Sequence, residues 1–350
     1  MGILADVPAG PGKHLRLLSV PLAGGSTVSI PVQVLRGARP GPVLLLTAGE
    51  HAMELNGVAA IDRVLRDLAP DEVTGTLLAV PVVNPPAVAR LPMGTDGPVA
   101  QSLAATDRWN TFRRWPGDRQ GTPAERITAA LTDAVVRDAD AVINFHAWSW
   151  YSASCTFGTK ARPQAAALAQ AFGLTFIGFD LEYSLSVDAA PDPKHCTLTN
   201  IAASLGKPAL LVELRTQVWL SPESVRLGMQ GIRNAMQALG MLAGTPVLPP
   251  VQYEFREEEL LHAPAAGLFV PVAEIEQSVR QGEVLGYLLG VENGRRRDIV
   301  SPCDGVVWLV SRVAAQATGG MEKNMDAFAE PGDLLALIKH VTPLPPWRGR

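Results

Sequence analysis

The chain has 350 residues, of which 47% are hydrophobic and 18% charged, with a formal net charge of −4. That balance describes a globular protein rather than a disordered or fibrous one, and it argues against a nucleic-acid binder, which carries a basic stripe. No apolar run approaches the roughly 18 residues of a membrane span, and Met1–Asp6 lacks the basic flank and long apolar core of a secretory leader. Cys155, Cys196 and Cys303 are scattered without Cys-x-x-Cys spacing, which fits reduced thiols in a cytoplasmic protein.

At this length, one large and one smaller domain are expected. Leu17–Ala23 and Thr27–Val34, joined through Gly24-Gly25, read as a hairpin at a sheet edge. From Pro42 to Leu242, apolar runs alternate with helix-like segments, the pattern of a largely parallel α/β sheet. The strands are expected at Val43–Thr47, Leu77–Val83, Ala141–Phe145, Leu174–Ile177 and Ala209–Val212. The helices are expected at Gly57–Leu68, Pro123–Arg137, Arg162–Phe172, Thr197–Leu205 and Pro222–Leu242. Residues 244–250, Gly-Thr-Pro-Val-Leu-Pro-Pro, read as a linker, because prolines that cannot continue a helix follow its end. Beyond it, Phe269–Val272, Val284–Leu289, Asp298–Ser301, Gly305–Val310 and Leu334–Lys339 alternate with period two between glycine turns. They suggest a small all-β domain. The expected division is therefore residues 1–243, a catalytic α/β domain, and 244–350, a β-rich barrel or sandwich.

Three of the expected strands end in chemistry. Val43–Thr47 runs through Gly49 into His51 and Glu54, Ala141–Phe145 is closed by His146, and Ala209–Val212 is closed by Glu213. In open α/β sheets, ligands sit just beyond the carboxyl ends of such strands. Imidazole and carboxylate together suit zinc, and two His with one Glu leave a coordination position open. One divalent ion held by His51, Glu54 and His146 would polarise a carbonyl and acidify its water, with Glu213 as the non-ligand base. N/O ligands do not select zinc by affinity alone, so another divalent ion stays open. Neither a dinucleotide fingerprint nor a P-loop is present.

The motifs Gly49-Glu-His-Ala-Met-Glu-Leu-Asn-Gly57, Val83-Asn-Pro-Pro-Ala87, Asn110-Thr-Phe-Arg-Arg-Trp-Pro-Gly117, Asn144-Phe-His146 and Val212-Glu213 carry a resemblance. In order and spacing they are similar to those of the succinylglutamate desuccinylase/aspartoacylase family, a deacylase branch of the zinc carboxypeptidase-like fold. The resemblance spans about residues 40–340. It implies His51, Glu54 and His146 as zinc ligands, Glu213 as catalytic carboxylate and a small N-acyl amino acid as substrate. It also implies that Arg113, in the Asn110–Gly117 motif, binds a substrate carboxylate. A planar guanidinium suits that task.

The chain also departs from the family pattern. Phe112 stands where the family has the Asn beside that Arg. Gln101-Ser102 stands where an upstream, oxyanion-stabilising Arg is common, and Arg90, Arg108 or Arg114 could substitute. Trp148, Trp150 and Tyr151 follow His146 where small residues are usual, so they could line a pocket or serve in packing. Together these changes point away from aspartate-like dicarboxylates.

The turns at Gly267, Gly282–Gly286, Ser301–Gly305 and Glu330–Asp333 resemble those of a lipoyl-like barrel, with Lys323 read as a solvated loop residue. The reading is a zinc-dependent amidohydrolase in the cytoplasm, with a small N-acyl amino acid or amine as partner, no nucleic acid, no membrane and a possible homo-oligomer. Its substrate contacts are expected from Arg113, Asn110, Trp148 and Arg90. The alternatives are a carboxypeptidase-like peptidase or esterase using the same centre, and a catalytically degenerate zinc-binding protein.

Overall fold

The computed structural model describes residues 2–89, 109–147, 152–179, 196–215, 220–315, 321–322 and 327–349. The chain forms two compact units. The first comprises Met1–Trp148, Ser154–Gln252 and Pro345–Arg350, and the second Ser149–Ala153 and Tyr253–Leu344. Residues 244–250, the expected linker, are held within the first unit: Asn234 Nδ2 donates to Val247 O (2.8 Å) and Val247 N donates to Asn234 Oδ1 (2.9 Å).

The sheet of the first unit has β1 (Gly12–Pro21), β2 (Thr27–Arg36), β3 (Arg39–Thr47), β4 (Thr74–Val80), β5 (Ala141–His146), β6 (Cys155–Gly158), β7 (Phe176–Phe179) and β8 (Ala209–Glu213). Their spatial order is β1-β2-β4-β3-β5-β8-β6-β7. The central strands β4, β3, β5 and β8 run parallel, whereas β1 and β2 pair antiparallel at one side and β6 is antiparallel to β8. This is the mixed, largely parallel sheet expected from the alternation of short apolar runs with helices. Its inner strands are buried on both faces, which is why Leu44, Leu45, Leu46, Val142 and Ile143 form continuous apolar runs.

The helices are α1 (Asn56–Asp67), α2 (Pro85–Ala89), α3 (Pro123–Leu131), α4 (Pro163–Phe172), α5 (Leu198–Ser204) and α6 (Pro222–Ala238). Thr122 and Thr197 begin α3 and α5 with capping boxes, their side chains accepting from Glu125 N and Asn200 N. The expected helix through Arg137 ends its regular course at Leu131 and continues as a π-helical turn, Thr132–Val136. Thr132 Oγ1 donates there to Pro116 O at 2.9 Å.

Alternation along the strands decides what each face carries. Leu45, Val142 and Ala209 pack with Ile127 and Leu131 of α3 and Leu198 of α5 in one cluster. Two and four residues further along the same strands come Thr47, Asn144, His146 and Glu213, which share that face. Phe145 points the other way, where a Cβ on Gly57 of α1 would lie 2.4 Å from its Cβ, and its ring faces Gly228 of α6.

The second unit is an antiparallel all-β region. One sheet orders β9 (Tyr253–His262), β17 (Leu334–Pro343), β14 (Gly305–Ala315) and β11 (Ser278–Val279), with β15 (Met321–Glu322) also on β14. The other orders β13 (Arg296–Val300), β12 (Val284–Leu289), β10 (Gly267–Pro271) and β16 (Phe328–Ala329). Phe269, Leu285, Leu288, Val307, Leu335 and Ile338 from both sheets fill a common core. Lys339, which follows Ile338 on β17, is also buried, its Nζ 2.6 Å from Glu258 Oε2 and 5.0 and 5.2 Å from the Phe255 and Trp308 rings. Lys323 lies outside the described residues.

Candidate metal centre

Gly49 adopts φ +63, a left-handed conformation open to glycine, and turns the chain out of β3. Val83 N donates to Ala48 O and Asn84 N to Gly49 O, so the segment that follows is knitted to the end of β4. A tight turn comes next, in which Glu54 N donates to His51 O at 3.3 Å. It brings the two side chains together across the carboxyl end of the sheet, where β5 delivers His146.

The three side chains converge. His51 Nδ1 lies 2.9 Å from Glu54 Oε1, His146 Nδ1 lies 2.9 Å from Glu54 Oε2, and one donor atom from each falls within 4.8 Å of the others. Ligand atoms about 2.0–2.1 Å from a tetrahedral ion stand roughly 3.3 Å apart. The three side chains are therefore close enough together for the cluster to be able to hold a divalent cation. Both imidazoles present the same nitrogen, and Glu54 and His146 are almost fully buried. Without such an ion, burial raises the Glu54 carboxyl pKa, but the charges of His51 and His146 outweigh that and hold it well below the usual carboxylate range. Burial likewise pulls the His146 pKa down, but Glu54 and Glu50 outweigh it and leave the ring well above the ordinary histidine value.

Glu213 is the direct register partner of His146 on β8, and Leu214 N donates to His146 O at 2.9 Å. It stands beside the cluster on the same sheet face without belonging to the converging donor set. Arg113 is exposed, at φ +60, with its guanidinium 5.6 Å from the Phe112 ring centroid. A non-glycine residue in that conformation is uncommon. The Phe112 ring in turn meets His51 and His146 edge-on, each at 5.3 Å between centroids. Asn110 is buried, and its Oδ1 accepts from Phe112 N at 3.0 Å, so its carbonyl oxygen shapes the turn that presents Phe112 and Arg113. Arg114 leans toward Glu125, at 4.0 Å. Arg90, Gln101, Ser102, Arg108, Trp148, Trp150 and Tyr151 lie outside the described residues.

Three residues at the site were not singled out from the sequence: Glu50, Asn144 and Trp115. Glu50 is buried behind His146, where its Oε1 accepts from Asn144 Nδ2 (2.8 Å) and lies 3.5 Å from His146 Nε2. Its Oε2 accepts from Trp115 Nε1 at 3.1 Å. Burial raises the Glu50 carboxyl pKa, but contacts with His146, Trp115 and Asn144 outweigh it, and the net shift is downward. The available sequence signal was polarity: Glu50 at the end of a buried strand and Asn144 inside one must each find a partner.

Residues 40–239 match the model of the succinylglutamate desuccinylase/aspartoacylase catalytic domain. The chain belongs to that family. These are N-acyl amino acid deacylases, so hydrolysis is the reaction class of the fold described above. The N-alpha-acetyl-L-2,4-diaminobutyric acid deacetylase of Halomonas elongata is 26% identical over 271 residues, 74% of this chain and 73% of that protein. The crystal structure of a succinylglutamate desuccinylase/aspartoacylase from Rhodobacter sphaeroides is 25% identical, covers 97% of this chain and 98% of its own, and superposes with a TM-score of 0.71. The ectoine utilization protein EutE (DoeB) of Ruegeria pomeroyi, solved with product bound, has the same fold at 21% identity, TM-score 0.71, over 95% of this chain and 97% of its own. No helix among the described residues is long and apolar enough to cross a membrane.

Proposed function

We propose that this member of the family is a zinc-dependent deacylase that hydrolyses the amide of a small N-acylated amino acid or related amine. The observation that carries the reading is the meeting of His51, Glu54 and His146 at the carboxyl ends of β3 and β5, with Glu213 in register beside His146. A zinc ion held by the three side chains would polarise the acyl carbonyl and acidify water. Glu213 takes up the proton released as water attacks and returns it to the leaving nitrogen, acting as base and then acid.

Arg113, raised on the Phe112 ring, anchors the substrate carboxylate through its guanidinium fork. Phe112 packs an apolar ring against both imidazoles where a polar amide would offer hydrogen bonds. That environment favours a monocarboxylate with an apolar or extended acyl or side chain over an aspartate-like dicarboxylate. The named activity of the Halomonas relative supports an acetylated amino acid as the substrate class. Cys155, Cys196 and Cys303, which form no disulfide among the described residues, suit a reaction in the reducing cytoplasm.

The test is Glu213→Gln in zinc-loaded protein, assayed on N-acyl amino acids whose acyl and amino parts vary independently, with peptides and esters alongside. Metal retention with turnover reduced about 10²- to 10⁴-fold is expected from loss of a general base. Near-normal turnover in the variant would overturn the mechanism. Preference for peptides or esters would move the assignment to those classes.

A further inference from the structure

Metal-ligating imidazoles donate their second ring N–H to a carboxylate, carbonyl or water, which fixes the tautomer and orients the ring. His146 faces two groups on that side. Its Nε2 is 3.0 Å from Asn144 Nδ2 and 3.5 Å from Glu50 Oε1. The first contact, with the amide donating, suits a ring whose proton sits on Nδ1, the atom that points at Glu54. A ring so protonated has no lone pair on Nδ1 for a metal. Binding through Nδ1 needs the proton on Nε2, and then the amide is a second donor and the carboxylate is the acceptor.

The orientation of Asn144 follows from its other contacts. Thr47 Oγ1 donates to Asn144 Oδ1 at 2.8 Å, and Nδ2 donates to Glu50 Oε1 at 2.8 Å, so the amide nitrogen is held on the Glu50 side. Glu50 is held from its far end by Trp115 Nε1. Building on the metal-centre reading above, we infer that Glu50 is the positioning carboxylate of the site: it accepts a hydrogen bond from His146 Nε2–H and so commits the Nδ1 lone pair to the metal. Through Trp115 the same carboxylate ties the metal ligand to the loop that carries Phe112 and Arg113.

The test compares metal-free wild-type protein with E50Q and with the exchange variant E50Q/N144D, titrating zinc against a competing chelator at fixed pH. The glutamine keeps the volume of Glu50 but places a donor or a weaker acceptor behind His146. Zinc affinity is expected to fall about 10- to 100-fold in E50Q, the range for loss of such a partner. In the exchange variant an Asp at 144 takes over the acceptor role, still receives the Thr47 hydroxyl, and can accept from the amide now at 50. Most of the lost affinity is expected to return.

Nitrogen-15 spectra of histidine-labelled, zinc-loaded protein give a second readout that a packing defect would not mimic. A protected Nε2–H resonance from His146 is expected in wild type and in the exchange variant, and it should be shifted or lost in E50Q. If E50Q does not fold, wild type and the exchange variant still decide, by whether both show the protected resonance and comparable zinc affinity. Undiminished affinity in E50Q, or an exchange variant without the protected resonance, overturns the inference. Failure of wild type itself to bind zinc overturns the metal-centre reading instead.

Discussion

At the scale of single residues, the site is an arrangement of buried charges that stabilise one another. Arg113 is the most exposed of the described residues proposed for it, and its role is the most open to measurement. Arg113→Ala is expected to lower kcat/KM by about 10- to 150-fold, mostly through KM, because hydrogen bonds to a charged group contribute about 1.5–3 kcal/mol. Arg113→Lys should recover part of this, since an ammonium keeps the charge but not the two-pronged geometry. An unchanged KM for carboxylate-bearing substrates in Arg113→Ala would exclude an anchoring role. The convergence of His51, Glu54 and His146 was legible in the sequence because residues of suitable chemistry follow two apolar runs that pair as parallel strands. Glu50 was not, because a carboxylate next to a candidate ligand reads as loop until its neighbours are known. Its partners Asn144 and Trp115 lie 94 and 65 residues away.

At the scale of elements, close backbone approach explains the glycines of the α1/α6 layer better than turn chemistry does. A Cβ on Gly231 of α6 would stand 2.1 Å from the Phe172 ring at the end of α4, and one on Gly228 would stand 2.8 Å from Ala60 Cβ of α1. Gly231→Ala is expected to destabilise the protein by about 1–3 kcal/mol through overpacking, despite the better helix propensity of alanine. A denaturant midpoint at or above that of wild type would contradict this. Thr122→Ala, which removes the α3 cap, should cost about 1 kcal/mol in the same assay. Elements with an unbroken apolar run or a clear apolar period were readable: α1, α4, β5, β8 and β12 fall where the sequence pattern puts them, within a residue or two. The four-residue strand β6 (Cys-Thr-Phe-Gly) is too short to show a period, and it exists because β8 and β7 offer it ladders on both sides. β9 was hidden by its charges. Arg256, Glu257, Glu258 and Glu259 are exposed along it, and on β17 Glu258 faces Lys339 while Glu259 faces Ile338.

For the whole molecule, metal occupancy and stability should be linked. At 100- to 1,000-fold excess of zinc over its Kd, binding adds about 2.7–4.1 kcal/mol to the folded state. Treatment with a chelator is therefore expected to lower the thermal midpoint and abolish turnover, both restored by added zinc. Loss of activity with no change in midpoint would argue that the ion is held elsewhere than in this buried cluster. The parts of that cluster are also remote in sequence. Glu54 and His146 are 92 residues apart, and they meet only because β3 and β5 pair in parallel while β8 closes on the other side. Pairings of that separation close slowly, since the intervening chain must lose its loop entropy first. Coordination can thus serve as a clock for folding: in refolding with cobalt in place of zinc, the visible absorption of the bound ion should arise with, and never ahead of, the signal of the assembled central sheet.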